Sequence, residues 1–130
     1  MYPDAQIPCI QISLVKGLDP ITHVSIGNAL SALENDNILI LGSGLSFHNM
    51  REFGSNNIDE RNIAFEDWLF DTCTNSQIKE GQREQALLNW MDAPSARYCH
   101  PREEHLIPLH VCYGMGQSQP SRLYWMHEEI

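Results

Sequence analysis

An α/β fold is predicted for this sequence: three layers, with a central, mostly parallel sheet between flanking helices. Three observations predict it. The run Ile38 to Leu41 is apolar at every position and is bounded by Asn37 and Gly42, which reads as a strand buried on both faces. Upstream, Ile10, Ile12 and Leu14 alternate with Gln11 and Ser13, which reads as a half-buried strand from about Cys9 to Val15. Between these runs lies a helical pattern with short joints. Strand, helix, strand in that order is a βαβ unit, whose crossover is right-handed in nearly all cases.

Each element has its own local reason. Pro3, Asp4 and Pro8 make Met1 to Pro8 an extended entry. Gly17 ends the first strand. Asp19-Pro20 places an N-cap before a proline at the first helical position, so a helix runs from about Pro20 to Glu34. Its apolar positions Val24, Ile26, Ala29, Leu30 and Leu33 form one stripe. Asn35-Asp36-Asn37 is a turn. A polar loop follows from Glu52 to Asp59, and Asp59 caps a helix from about Glu60 to Thr74 with an apolar face of Ile63, Phe65, Trp68, Leu69 and Phe70. A further helix spans about Gly81 to Met91, and Asp92 to Arg97 is a loop around Pro94. The last helix carries His105 in its first turn and runs to about Tyr113, with Pro108 forcing a kink or a late start. Ser121 to Met126 begins a final strand.

Composition bounds the function. The 130 residues suffice for one domain, and the 42% hydrophobic and 19% charged shares fit an ordinary globular chain. The formal charge of −9 argues against nucleic acid and anionic membranes as partners, because both need a basic face. No stretch approaches the roughly 20 apolar residues of a membrane helix. The N-terminus lacks the basic region and apolar core of a secretory leader, so a cytoplasmic protein is expected. Cys9, Cys73, Cys99 and Cys112 form no metal-knuckle spacing and read as buried, reduced side chains.

Gly42, Ser43, Gly44 and Ser46 interrupt the apolar run, and His48-Asn49 follows. Ligands of open α/β folds bind beyond the carboxyl ends of strands, so His48 is placed for chemistry. The alternative is that it only caps the turn, and both readings stand at this point. His100, His105 and His110 are five residues apart, which rotates successive side chains about 140° on a regular helix. One metal ion cannot take all three. A shared site needs the fold to bring His48 to His105. Structural roles suit the others: His23 in a first helical turn, His100 bracing a loop before Pro101, and His110 in a core. Glu103 and Glu104 read as solvated first-turn acids.

Several motifs together resemble class III extradiol ring-cleavage dioxygenases, the LigB-type family, and its DOPA-dioxygenase-like branch. They are Pro3-Asp4-Ala5 with Ile7-Pro8 and Gln11-Ile12-Ser13; Asp19-Pro20 with His23 and Gly27; Leu41-Gly42-Ser43-Gly44 with His48-Asn49; Phe65, Trp68 and Leu69; and His100-Pro101 with Glu103-Glu104-His105-Leu106 and Pro108-Leu109. Their order and spacing agree over nearly the whole chain. The resemblance implies a non-haem Fe(II) site, with Zn(II) able to take the same place, and as reactants a catechol-type diol such as DOPA and O₂. By position, His48 matches the active-site base, or a further metal ligand in zinc-loaded forms. His105 matches a metal ligand, and His23, Asn49 and His100 match neighbouring second-layer or substrate-facing groups.

The resemblance covers the C-terminal half of a family about twice this length, so residues 1–130 are expected to form one partial LigB-like domain. The family's other half supplies two further histidine ligands. The chain alone is therefore expected to be catalytically weak, and a homo-oligomer or a complementing subunit is an expected arrangement. The competing function is a metal-free interaction module built on the same fold. Metal stoichiometry separates the two.

Overall fold

The computed structural model describes residues 6–33, 37–52 and 59–116. Among these residues there are five α-helices: α1 Pro20–Leu30, α2 Glu60–Thr74, α3 Glu80–Leu88, α4 Ala96–Cys99 and α5 Ile107–Met115. Short 3₁₀ turns at Ser31–Leu33 and Trp90–Asp92 extend α1 and follow α3. No described residue lies in a strand, so the expected central sheet is not seen among the described residues, whose regular structure is helical. The expected final strand from Ser121 lies outside the described residues.

The physical reason is the absence of pairing. A strand exists through its ladder to a neighbour, and no described segment pairs with 9–15 or 38–42. Their apolar side chains are not buried either: Ile10 is 91%, Leu39 77% and Leu41 81% exposed. Apolar alternation records what a segment can bury, and the burial itself needs a second surface. Cys9, expected inside that strand, is exposed as well.

The helices follow their caps closely. Asp19 accepts from Thr22 N at 2.8 Å, with Pro20 in the first turn. Asp59 accepts from Arg61 N at 2.9 Å and starts α2 at Glu60. Ahead of α1, Gly17 turns the chain at φ +99°, which favours glycine, and Leu18 N donates to Val15 O at 3.1 Å. α5 starts late, at Ile107, with Pro108 in its first turn, where a missing N–H costs nothing.

α1 packs chiefly against α5. Its buried residues are His23, Val24 and Gly27, a narrower stripe than the apolar positions alone suggest; Ala29 is exposed. Glycine sets this. A Cβ on Gly27 would strike the Val111 carbonyl, and one on Gly114 would strike the Val24 carbonyl. The two backbones therefore touch, and Ile26 and Leu30 of the expected stripe are only half-buried. Val24, Leu87 and Tyr113 form one core cluster there. A second joins Phe65, Trp90, Ala96, Cys99 and Leu106, with Phe47, Trp68 and Leu69 packed against it. Arg83, 2% exposed, caps the C-terminal end of α2: Nε donates to Thr72 O at 2.8 Å and Nη2 to Asn75 O at 2.5 Å.

Candidate metal centre

The segment from Gly42 to Asn49 lies against α5 and the turns before it. It can do so because Gly42 and Gly44 carry no side chain. A Cβ on Gly44 would meet the His105 carbonyl, and one on Gly42 would meet Cys112 and the Pro108 carbonyl. Three bonds then fix its course. Leu45 N donates to His105 O at 3.0 Å, His100 Nε2 donates to Ser46 O at 2.9 Å, and His48 N donates to Cys99 O at 2.9 Å. Asn49 closes the end: its Nδ2 donates to Tyr98 O at 2.8 Å and its Oδ1 accepts from Arg51 N at 3.2 Å. Asn49 thus holds the backbone beside His48 and does not bond the His48 ring.

The result is that His48 and His105, 57 residues apart in sequence, stack their rings with centroids 3.6 Å apart. Neither ring is hydrogen-bonded to a described residue. Glu104 joins them. One ligand atom from each of His48, Glu104 and His105 lies within 4.8 Å of the others, and all three residues are half-buried. Sequence reasoning misses Glu104. It puts residue 104 at the first turn of a helix, whereas residues 104–106 form a non-helical turn before α5. Pro108 is the signal that could have found this, because it places the helix start downstream.

The other described histidines supply no ligand atom to this cluster, although His100 lies near enough to feel the charges of His48, Glu104 and His105. His23 is 1% exposed; its Nε2 accepts from Val15 N at 3.1 Å, so the proton sits on Nδ1, which donates to Asp19 O at 2.7 Å. Both ring nitrogens are used on backbone groups. His110 donates from Nε2 to Leu87 O at 2.9 Å. His100 packs between Phe65 and Trp90 and spends Nε2 on Ser46 O, leaving Nδ1 buried without a hydrogen bond. Burial pulls the His100 and His110 rings below the usual imidazole range, opposed in each by the carbonyl it donates to.

Beside the cluster opens a cleft of about 220 Å³, lined by Gly42, Gly44, Leu45, Leu69, His105 and Leu109 among others. Its walls are apolar except at the His105 end. Cys112 also borders it, but burial raises that thiol, so it stays protonated at neutral pH and is not a nucleophile. From outside, Asp59 steadies α4. Its carboxylate accepts from the Arg61 side chain and from the Tyr98 hydroxyl at 2.5 Å. The Arg61 bonds hold Asp59 well below the usual carboxylate range, and donating to Asp59 pushes Tyr98 up to about 12.

The cluster fits a divalent cation. Two imidazoles and one carboxylate are the donor set that leaves positions open on non-haem Fe(II) and that also suits zinc. The Glu104 Oε2 atom is enclosed and makes no hydrogen bond; its nearest cation is Arg102 Nε at 3.4 Å. No helix of the described residues is long and apolar enough to cross a membrane.

Comparison with known proteins adds to this geometry. A family model described as the catalytic LigB subunit of aromatic ring-opening dioxygenase matches residues 1–130. The chain is 35% identical over 126 residues to a 4,5-DOPA dioxygenase extradiol of Beta vulgaris, covering 95% of this chain and 45% of that protein. It is 34% identical over 122 residues to the protein of the same name in Mirabilis jalapa, covering 92% and 44%. A 4,5-DOPA dioxygenase extradiol-like protein of Schizosaccharomyces pombe is 32% identical over 125 residues, covering 95% and 41%. The chain thus spans a little under half the length of these curated relatives. No solved structure matches it.

Proposed function

The chain belongs to the LigB family of aromatic ring-opening dioxygenases, and from that premise we propose that it contributes the base and part of the metal site to extradiol cleavage of a catechol-type diol. One observation carries this reading: the fold brings His48 onto His105, with neither ring hydrogen-bonded to the backbone of a described residue. Every buried histidine among the described residues spends at least one ring nitrogen on a main-chain group, and these two spend none on a described residue.

His105 is the metal ligand. His48 would help hold a bound cation in the substrate-free chain and would serve as the base that takes a proton from the diol. An imidazole suits that exchange near neutral pH. A bound Fe(II) ion would supply the redox chemistry that lets O₂ react with the diol. The cleft gives the aromatic ring an apolar place beside His105, lined by Leu45, Leu69, Leu106 and Leu109. His100 keeps the segment ahead of His48 in register through Ser46 O. Residues 1–130 act as one partial catalytic domain of this family.

The test is oxygen uptake by the Fe(II)-loaded chain with DOPA as substrate, beside His48→Ala and His105→Ala. Uptake that needs both iron and diol is expected. It should vanish in His105→Ala and fall about 10²–10⁴-fold in His48→Ala, the usual contribution of a general base. Uptake indifferent to both substitutions would contradict the proposal.

A further inference from the structure

We infer that Glu104 is a third cation ligand, so that this chain by itself holds a divalent metal through His48, Glu104 and His105. The inference rests on the metal site proposed above and goes beyond it, because it makes cation binding independent of donors from any other segment. The geometry is the first support. The three donor atoms already lie within 4.8 Å of one another. Ligands bonded to one ion at about 2.0–2.1 Å cannot stand more than about 4.2 Å apart, so the cluster needs to contract by well under an ångström.

The second support is the state of Glu104 itself. Its neighbour Glu103 is satisfied: the carboxylate accepts from Arg97 Nη1 at 2.6 Å. Glu104 Oε2 is enclosed and lacks any hydrogen bond. Arg102, 3.4 Å away, has a side chain 76% exposed, so water screens most of that attraction. This carboxylate, weakly paired and partly enclosed beside two imidazoles, has room for a further positive charge. Histidine nitrogens with free lone pairs cannot supply one, and a divalent cation can.

Preorganisation is the third support. Glu104 and His105 sit on a turn held from both sides. Leu106 N and Ile107 N donate to Glu103 O at 2.8 and 3.0 Å, and Leu45 N donates to His105 O at 3.0 Å. That last bond ties the turn to the segment that carries His48. All three ligands therefore belong to one stapled unit. The resulting site has a charge of +1 from two neutral imidazoles, one carboxylate and the divalent ion. A chain of net charge −9 tolerates that readily. Borderline ions that accept nitrogen and oxygen together, such as Fe(II), Co(II) or Zn(II), suit it better than Ca(II) or Mg(II).

The experiment is a Co(II) titration of the full chain, read by visible absorption and by competition with Zn(II), comparing wild type, Glu104→Gln and Glu103→Gln. Glu104→Gln keeps the side-chain shape and should weaken Co(II) binding at least about tenfold, because even the outer partners of metal ligands cost about 10–100-fold when removed. Glu103→Gln removes an adjacent carboxylate and should leave the affinity unchanged. Equal Co(II) affinity for wild type and Glu104→Gln would overturn the inference while leaving the ring-opening reading intact. Absence of Co(II) binding by the wild-type chain would overturn it too. Tenfold weakening in Glu104→Gln without any oxygen uptake by the iron-loaded wild type would sustain the inference and sink the ring-opening reading instead.

Discussion

The α1–α5 crossing and the His48–His105 end of the molecule both contain histidine, and they treat it in opposite ways. At the crossing, His23 and His110 are buried and bonded to backbone groups from Val15, Asp19 and Leu87. At the other end, His48 and His105 are half-buried and lie ring against ring, and neither ring bonds a described residue. The difference teaches how to tell an imidazole that builds the fold from one that serves chemistry. A core imidazole completes hydrogen bonds that burial would otherwise leave open. A working imidazole keeps its ring clear of the fold's own hydrogen bonds, whereas even His110 and His100, with Nδ1 unbonded, commit Nε2 to a carbonyl; something else must then hold the working ring in place. Here that work falls to the main chain: the Leu45–His105, His48–Cys99 and Ser46–His100 bonds fix both segments without using either working ring.

The contrast predicts unequal responses to mutation. The largest effect belongs to the core. His110→Ala opens a cavity and orphans the Leu87 carbonyl, so it should cost about 2–4 kcal/mol of unfolding free energy by denaturant titration. Gly27→Ala comes next. Its methyl group forces α1 off the Val111 carbonyl, and overpacking of this kind costs about 1–3 kcal/mol. A loss near zero would mean that the two helix backbones do not touch.

Acid should then separate the two regions. Burial lowers the His110 and His100 values in the folded chain below the unfolded value of 6.5. A lowered histidine value means that the unfolded state takes up protons first as pH falls. Stability is therefore full above about pH 6.5 and declines as pH drops through the lower folded values. Thermal unfolding between pH 7 and 5 should show this decline, and His110→Gln should make it shallower. The smallest effect belongs to the other end. His48→Ala should change stability by no more than about 0.5 kcal/mol, because a half-buried ring without hydrogen bonds supports little. A large loss there would erase the distinction between the two kinds of histidine.

The parts of this fold that are legible in the amino-acid sequence are the local ones. The N-caps Asp19 and Asp59 place the starts of α1 and α2 to the residue, because those bonds join near neighbours, whereas α1 stops at Leu30, short of the expected Glu34. The sheet is where the reading fails. Ile38 to Leu41 shows what could be buried, while burial needs a partner surface that no described segment supplies. α4, four residues long, leaves no periodic trace and hides in what reads as a loop around Pro94. At the site, His48 and His105 can be named from the glycine-rich segment and from the motif order. Their meeting cannot, since it depends on Gly42 and Gly44 riding against α5. Glu104 stays hidden behind an expected helix start ahead of Ile107.

The most direct test is histidine-selective ¹⁵N NMR of the chain during titration with Zn(II), a diamagnetic stand-in for iron. The ring nitrogens of His48 and His105 should shift together and saturate at one equivalent of zinc, while those of His23 and His110 stay where they were. Shifts confined to the buried rings, or a His48 signal that ignores zinc while His105 responds, would contradict a shared metal centre at this end of the molecule.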